Sequence, residues 1–275
     1  MDDLRGSACH DAGVDLDAYF ARTGYSGPRT PTLTTLHGLV RAHVQTIPFE
    51  NLDVLLGKPI ELEPAALVQK LVHDRRGGYC FEHNTLLLEV LGALGFQVRP
   101  LSARVRWGRP RDYTPARTHL LVRVELDEPW LADVGVGAMS PAAALRLGEH
   151  GEQATPHEPR RLLRKGGLIY HQARLGDDWH DVAELTLEEM PVIDRIVANW
   201  YTSTHPQSHF KHRLLVARAT PSGRVTLLND TLSIRGADGV ATKRRVESHD
   251  HLLRILDEHF GITLPAGALP RYDYT

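Results

Sequence analysis

The hydrophobic period of this chain changes at Gly95, and that change constrains the fold more than any other feature. Before it, apolar residues recur three and four apart: Leu16, Tyr19 and Phe20; Leu33, Leu36, Leu39, Val40 and Val44; Leu67, Val68, Leu71 and Val72; Leu87, Leu88, Leu91 and Leu94. Such spacing lays an apolar stripe along each of a series of helices. Gly95 suits the left-handed residue that ends the last of them. Beyond it the apolar runs shorten to 97–106, 118–126, 130–136, 162–175 and 179–185, rich in Val and Leu and parted by Gly, Pro and Asp. These predict antiparallel strands. A further segment opens at Asn199, with strand-like runs at 213–219, 224–228 and 231–235 and a closing helix near 251–260 stopped by Gly261. The chain is expected to be α+β, in three parts: 1–95 helical, 96–198 β-rich and 199–275 mixed.

Composition removes several function classes. The 275 residues are 42% hydrophobic and 24% charged with a formal net charge of −2, so there is no basic excess for a nucleic-acid partner. The basic clusters Arg160-Arg161 and Lys243-Arg244-Arg245 read as isolated. The opening Met1-Asp2-Asp3-Leu4-Arg5-Gly6-Ser7 lacks the order of a secretory signal, and no apolar run approaches the roughly 20 residues of a membrane span. The expected location is the cytoplasm. Of the two cysteines, Cys9 lies in a polar opening segment, and a reducing compartment argues against its pairing with Cys80.

Cys80 is the candidate nucleophile. It stands in Arg75-Arg76-Gly77-Gly78-Tyr79-Cys80-Phe81-Glu82-His83-Asn84, where paired glycines deliver a lone cysteine to the first turn of an apolar helix. Unpaired N–H groups and the positive dipole end of a helix favour a thiolate, and the two arginines are expected to act in the same direction. The glycines read as places where a backbone approaches a ligand closely. The plainer alternative is a buried cysteine serving as a small hydrophobe.

A thiol nucleophile needs a base, and the base needs a group to orient it. Sixteen histidines make any one of them weak evidence alone. His119 is preferred because it opens a strand, ahead of Leu120-Leu121-Val122, where the sheet can fix it at the edge of a cleft. The following strand runs into Leu131-Ala132-Asp133-Val134-Gly135-Val136-Gly137, an acid among apolar residues, which is costly unless paired. If the two strands form a hairpin, Asp133 accepts the second imidazole N–H. Two alternatives stay open: Asp133 capping the turn that follows, and His119 as a satisfied core histidine. His83, three residues after Cys80 on one helix face, is a rival base read as structural or gating. A metal site built on Cys80, His83 and His205, His209 or His212 lacks a ligand pattern, so no metal is expected. Gly135 and Gly137 read either as a strand-ending turn or as a place where a backbone approaches phosphates or a pantetheine arm.

These residues resemble the arylamine N-acetyltransferases of bacterial type. The likeness is carried by Ile47-Pro48-Phe49-Glu50-Asn51-Leu52, the Arg-Gly-Gly-Tyr-Cys-Phe-Glu run at 76–82, Thr118-His119-Leu120-Leu121, 132–137 and 199–208, and spans nearly the whole chain in order. The resemblance implies an N-terminal helical bundle, a central antiparallel β-barrel and a C-terminal α/β lid around a cysteine-protease-like catalytic core. It implies transfer of the acetyl group of acetyl-coenzyme A, a co-substrate rather than a tightly bound cofactor, to an arylamine, arylhydrazine or hydrazine. Cys80 then matches the acetylated nucleophile, His119 the base and Asp133 the orienting acid. Thr118, Phe49 and Val136 are the expected substrate contacts, and Gly135, Gly137 and Thr204 the expected coenzyme A contacts. Val136 stands where family members often carry an aromatic, which implies a wider acceptor pocket; Pro115-Ala116 stands where some relatives have Thr-Gly. A cysteine hydrolase or transglutaminase-like acyltransferase shares the order Cys, His, Asp and is the alternative enzyme. A non-catalytic binding module is the alternative outside enzymes, and a homodimer is left open.

Overall fold

A computed structural model describes residues 14–236, 239–265 and 268, so Cys9 lies outside the described residues. The N-terminal part begins with α1 (Leu16–Thr23), started by the Asp15 carboxylate on the Ala18 N–H and ended by Gly24 at φ 70°. Next comes α2 (Leu33–Thr46), capped by Thr32 and stopped as the chain turns extended at Ile47, before Pro48. Then follow the two-residue β1 (Phe49–Glu50), the short α3 (Leu52–Leu55) and α4 (Pro64–Leu67). The helix predicted around Leu67 to Val72 continues from α4 as a wider π-turn, Val68–His73. The long α5 (Cys80–Ala93) is buried along nearly its whole length, and Gly95 follows in the left-handed conformation at φ 85°.

The β-rich middle is one antiparallel sheet of seven strands: β2 (Gln97–Val105), β3 (His119–Glu125), β4 (Pro129–Ala132), β5 (Leu145–Arg146), β6 (Arg160–Lys165), β7 (Leu168–Leu175) and β8 (Asp178–Glu189). Its order, β5-β4-β3-β2-β8-β7-β6, curls into a nearly closed barrel. Gln153 bridges the gap: its backbone pairs with Arg160, and its side-chain amide exchanges hydrogen bonds with the Arg146 backbone. The run at 162–175 divides at Gly166-Gly167, both at positive φ, into β6 and β7. Strand β3 is buried on both faces, which explains its continuous apolar run. Leu120, Val122 and Val124 pack on the helical part, while Leu121 joins Leu131, Leu162 and Ile169 inside the barrel.

Helix α6 (Val192–Thr204) begins seven residues before the opening predicted at Asn199, so the expected 198/199 boundary falls within it. It leads to β9 (Leu215–Thr220), β10 (Gly223–Leu228), β11 (Thr231–Gly236) and β12 (Ala241–Arg245), then α7 (His249–Phe260), ended by Gly261 at φ 66°. This second sheet has the order β1-β9-β10-β11-β12. Its first strand therefore comes from the N-terminal part, with Phe49 opposite Ala217 and also bridged to Gly78, two residues before Cys80. One face of the sheet packs Val216, Val225, Leu227 and Leu232 against α7. No helix among the described residues is long and apolar enough to cross a membrane.

Candidate active site

Cys80 is the first residue of α5, and Tyr79 and Glu82 form the cap that places it there, the Tyr79 N–H donating to Glu82 Oε2 at 2.9 Å. The two glycines upstream have a different reason from the one expected. A Cβ at Gly77 would lie 1.9 Å from the Pro48 carbonyl oxygen, and one at Gly78 would meet the Glu82 carboxylate at 2.5 Å. Their close approach is to the protein's own backbone and cap, not to a ligand. The arginines are also placed otherwise than expected. Arg76 is bound by Glu50 at 2.7 Å and Asp53 at 3.1 Å, and Arg75 is exposed. Lys70 completes this network, joining Asp53 at 2.7 Å to Glu82 at 2.6 Å, and so anchors the helix start beneath the thiol.

The hairpin of β3 and β4 brings the other two residues to the sulfur. His119 Nε2 donates to Asp133 Oδ2 at 2.7 Å, both side chains being buried. The ring also has the Cys80 side chain as a hydrogen-bond partner, with Nδ1 the nitrogen left for it. The Cys80 thiol lies 3.5 Å from the Thr118 carbonyl. Asp133 falls one residue past the end of β4 rather than inside a strand. Its Oδ1 accepts from the Gly135 N–H at 3.0 Å, so the turn-capping role and the histidine partnership coexist. Burial alone would lower the basicity of His119. The Asp133 charge and hydrogen bond, helped by Cys80, outweigh it and hold the imidazole well above its ordinary 6.5. Asp133 moves oppositely: burial pushes it up, but the His119 charge and hydrogen bonds from His119, Gly135 and Asn84 hold it below the usual carboxylate range.

Asn84 is the neighbour of this cluster that the sequence reading quoted without giving it a role. One helical turn beyond Cys80 and fully buried, it donates to the Leu120 carbonyl at 2.6 Å and to Asp133 Oδ1 at 3.1 Å, and accepts from the Val134 N–H at 3.0 Å. The signal available was its spacing of four from the cysteine. Gly135 is required by contact too, since a Cβ there would lie 2.6 Å from Asn84 Nδ2 and 2.7 Å from Cys80 Cα. His83, the rival base, is turned away: its ring nitrogens meet His43 at 2.8 Å and the Pro48 carbonyl at 3.1 Å. Burial holds it near 4, a neutral structural histidine.

The remaining expected contacts spread around this centre. Phe49, half-buried, stacks on His83 and borders Gly137, whose φ is +66°. Val136 packs towards Met139, Ala173 and Val182. Thr204 is exposed at the end of α6, with its hydroxyl turned back onto the Trp200 carbonyl.

A model of the N-acetyltransferase family matches residues 32–269. The chain is 43% identical over 256 residues to an arylamine N-acetyltransferase of Mycobacterium tuberculosis, covering 91% of this chain and 90% of that protein. The chain belongs to the arylamine N-acetyltransferase family. A second arylamine N-acetyltransferase, from Escherichia coli, is 39% identical over 249 residues, covering 90% of this chain and 88% of its own. The solved M. tuberculosis arylamine N-acetyltransferase aligns with a TM-score of 0.90 at 43% identity, over 93% of this chain and 98% of that one. The Mycobacterium marinum arylamine N-acetyltransferase, solved in complex with CoA, aligns with a TM-score of 0.87 at 42% identity, over 90% and 93%. As an arylamine N-acetyltransferase the chain is an enzyme, and its chemistry is acetyl transfer.

Proposed function

We propose that this enzyme moves the acetyl group of acetyl-coenzyme A to the nitrogen of arylamines, arylhydrazines or hydrazines by a ping-pong cycle through an acetyl-Cys80 intermediate. Cys80 is the nucleophile, His119 the acid and base, and Asp133 the orienting acid. The observation that carries this reading is the continuous contact from sulfur to imidazole to a carboxylate held by further hydrogen bonds from Asn84 and Gly135.

In the first half-reaction the Cys80 sulfur attacks the thioester carbonyl, and His119 gives its proton to the departing thiol. The N–H groups of Cys80 and Phe81 lie in the first turn of α5, where no helical carbonyl precedes them, and are the donors for the oxyanion. Acetylation removes the sulfur charge that helps hold the proton on His119. The ring then takes a proton from the incoming amine as that nitrogen attacks the thioester and Cys80 leaves. Phe49 and Val136, both half-buried, supply apolar surface that disfavours water as the acceptor, whereas Phe81 is fully buried in the core, and Thr118 borders the acceptor.

The relative solved with CoA supports coenzyme A as the donor carrier. A route for it is proposed along the second sheet. Phe49, Ala217, Thr226, Ser233 and Lys243 are successive partners across five strands, on the face opposite α7. Three small side chains, Ala217, Thr226 and Ser233, thus lie between Phe49 and a cation at the sheet edge. Gly135, Gly137 and Thr204 remain proposed contacts for the donor.

Mass spectrometry after mixing with acetyl-coenzyme A is expected to find the acetyl group on Cys80, and Cys80→Ala to abolish transfer while leaving the fold intact. Double-reciprocal plots for the two substrates are expected to be parallel. Intersecting lines, or a Cys80→Ala variant with near wild-type activity, refute the cycle. Acylation of Cys80 by a peptide amide in place of acetyl-coenzyme A favours the hydrolase-like reading.

A further inference from the structure

The barrel interior has an apolar layer and, at one mouth, a polar one. Leu121, Leu131, Leu162 and Ile169 fill the apolar layer. Two residues along the strand from Leu121, Leu162 and Ile169, and therefore on the same inward side, stand His119, Arg160 and His171, and Asp133, just past β4, joins them through its bond to His119. All four are 2% exposed or less. The mouth thus contains part of the proposed site and, behind it, a cation that the proposed cycle does not use. The sequence reads Arg160-Arg161 as an isolated basic pair, and Arg160 is the largest of the fully buried side chains among the described residues.

Arg160 is held from two sides. One guanidinium nitrogen donates to His171 Nε2 at 3.0 Å, which makes that ring a neutral acceptor, and another donates to Glu158. Glu158 also accepts from Arg224 of β10 at 2.6 Å. Arg224 in turn donates to the Ser140 carbonyl at 2.8 Å, on the segment that leaves Asp133. His171 interacts electrostatically with both Asp133 and His119, and Arg160 with Asp133.

We propose that Arg160 is a positioning residue of the acyl-transfer site: a cation locked behind His171 whose field at Asp133 and His119 sets when His119 holds or releases its proton. This inference rests on the triad reading above. Among the buried groups, with a thiolate and imidazolium formed, three anions, Cys80, Asp133 and Glu158, balance three cations, His119, Arg160 and Arg224; Arg235, half-buried near Glu158, lies outside this count. After Cys80 is acetylated, this buried set is neutral only if His119 gives up its proton, which is the state in which it serves as base. Without Arg160 it is neutral only if His119 keeps that proton. The other charged or titratable groups facing this layer are His157, beside Glu158, and Arg235 of β11, also near Glu158.

The test is the pH dependence of single-turnover transfer from acetyl-Cys80 to an excess of arylamine. Replacing the buried cation in Arg160→Met is expected to move the rising limb about one pH unit higher, the order of effect of one nearby buried charge. Glu158→Gln, which removes the anion opposing Arg160, is expected to move it lower, and Arg160→Lys to restore the wild-type limb. An Arg160→Met profile that coincides with wild type, or shifts of the same sign in Arg160→Met and Glu158→Gln, overturns the proposal. If Arg160→Met does not fold, Glu158→Gln decides alone: a lower limb supports it, and an unchanged or higher one refutes it. Mass spectrometry of each variant separates the readings, because failure of the triad leaves no acetyl-enzyme, whereas failure of this proposal leaves acetyl-enzyme with an unshifted profile.

Discussion

Replacing Asn84 by alanine removes three hydrogen bonds where no solvent reaches, because the residue is fully buried between α5, β3 and the segment after β4. The Leu120 carbonyl and the Val134 N–H each lose the partner they have in Asn84. At about 1–3 kcal/mol for each buried group left unpaired, Asn84→Ala is expected to cost about 2–6 kcal/mol. That is a large share of the 5–15 kcal/mol by which a domain is usually stable. Asp133 keeps His119 and the Gly135 N–H, so the proposed triad is loosened rather than dismantled. Transfer by the folded fraction should fall about 10- to 100-fold, equivalent to about 1.4–2.8 kcal/mol in the barrier. Urea denaturation followed by tryptophan fluorescence measures the first quantity, and acetyl-enzyme formation well below the unfolding midpoint measures the second. A variant within about 1 kcal/mol of wild type with an unchanged acetylation rate would refute the claim that Asn84 joins the Cys80 helix to the Asp133 turn.

Gly77→Ala is expected to lower the melting temperature and to reduce activity with it, since its Cβ would fall 1.9 Å from the Pro48 carbonyl and no flexible side-chain tip can yield. The expected cost is about 3 kcal/mol or more; an alanine variant as stable as wild type would contradict the packing described. Acid should destabilise the protein through its buried neutral histidines. His83 near 4 and His171 near 3 lie below the unfolded value of 6.5, so the unfolded chain takes up protons first and stability falls as the pH drops from 6.5 towards 3. For His83 the ceiling is about 3 kcal/mol, lost by about pH 4. A melting temperature that stays level between pH 7 and 4 would show that these rings are not held neutral.

The residues that meet at the site were legible because each carries its own local signal. Cys80 follows a helix-start pattern, His119 opens an apolar strand, and Asp133 interrupts apolar residues just before a turn. What escaped has a physical reason in each case. Helix α6 begins at Val192, but Val192, Ile193, Ile196, Val197 and Trp200 are exposed, so its apolar pattern does not announce a buried face. Strand β12 is exposed throughout and basic, without the alternation that marks a half-buried strand. The partnership of β1 with β9 joins residues far apart in the chain, and two apolar residues give no hint of it. The polar layer of Arg160, Glu158 and Arg224 was hidden because charged side chains ordinarily mean surface, and only the closed fold shows that they neutralise one another inside it.

Strand β12 has a consequence for how the protein behaves at high concentration. Among the described residues it pairs with β11 on one side only, and an edge of that kind is a template onto which a second chain can add. Lys243, Arg244 and Arg245 occupy three of its five positions, and an identical strand brought alongside would set six cations against one another. Like-charge repulsion thus guards this border against runaway self-association, and neutralising those side chains would open it to fibre-like growth.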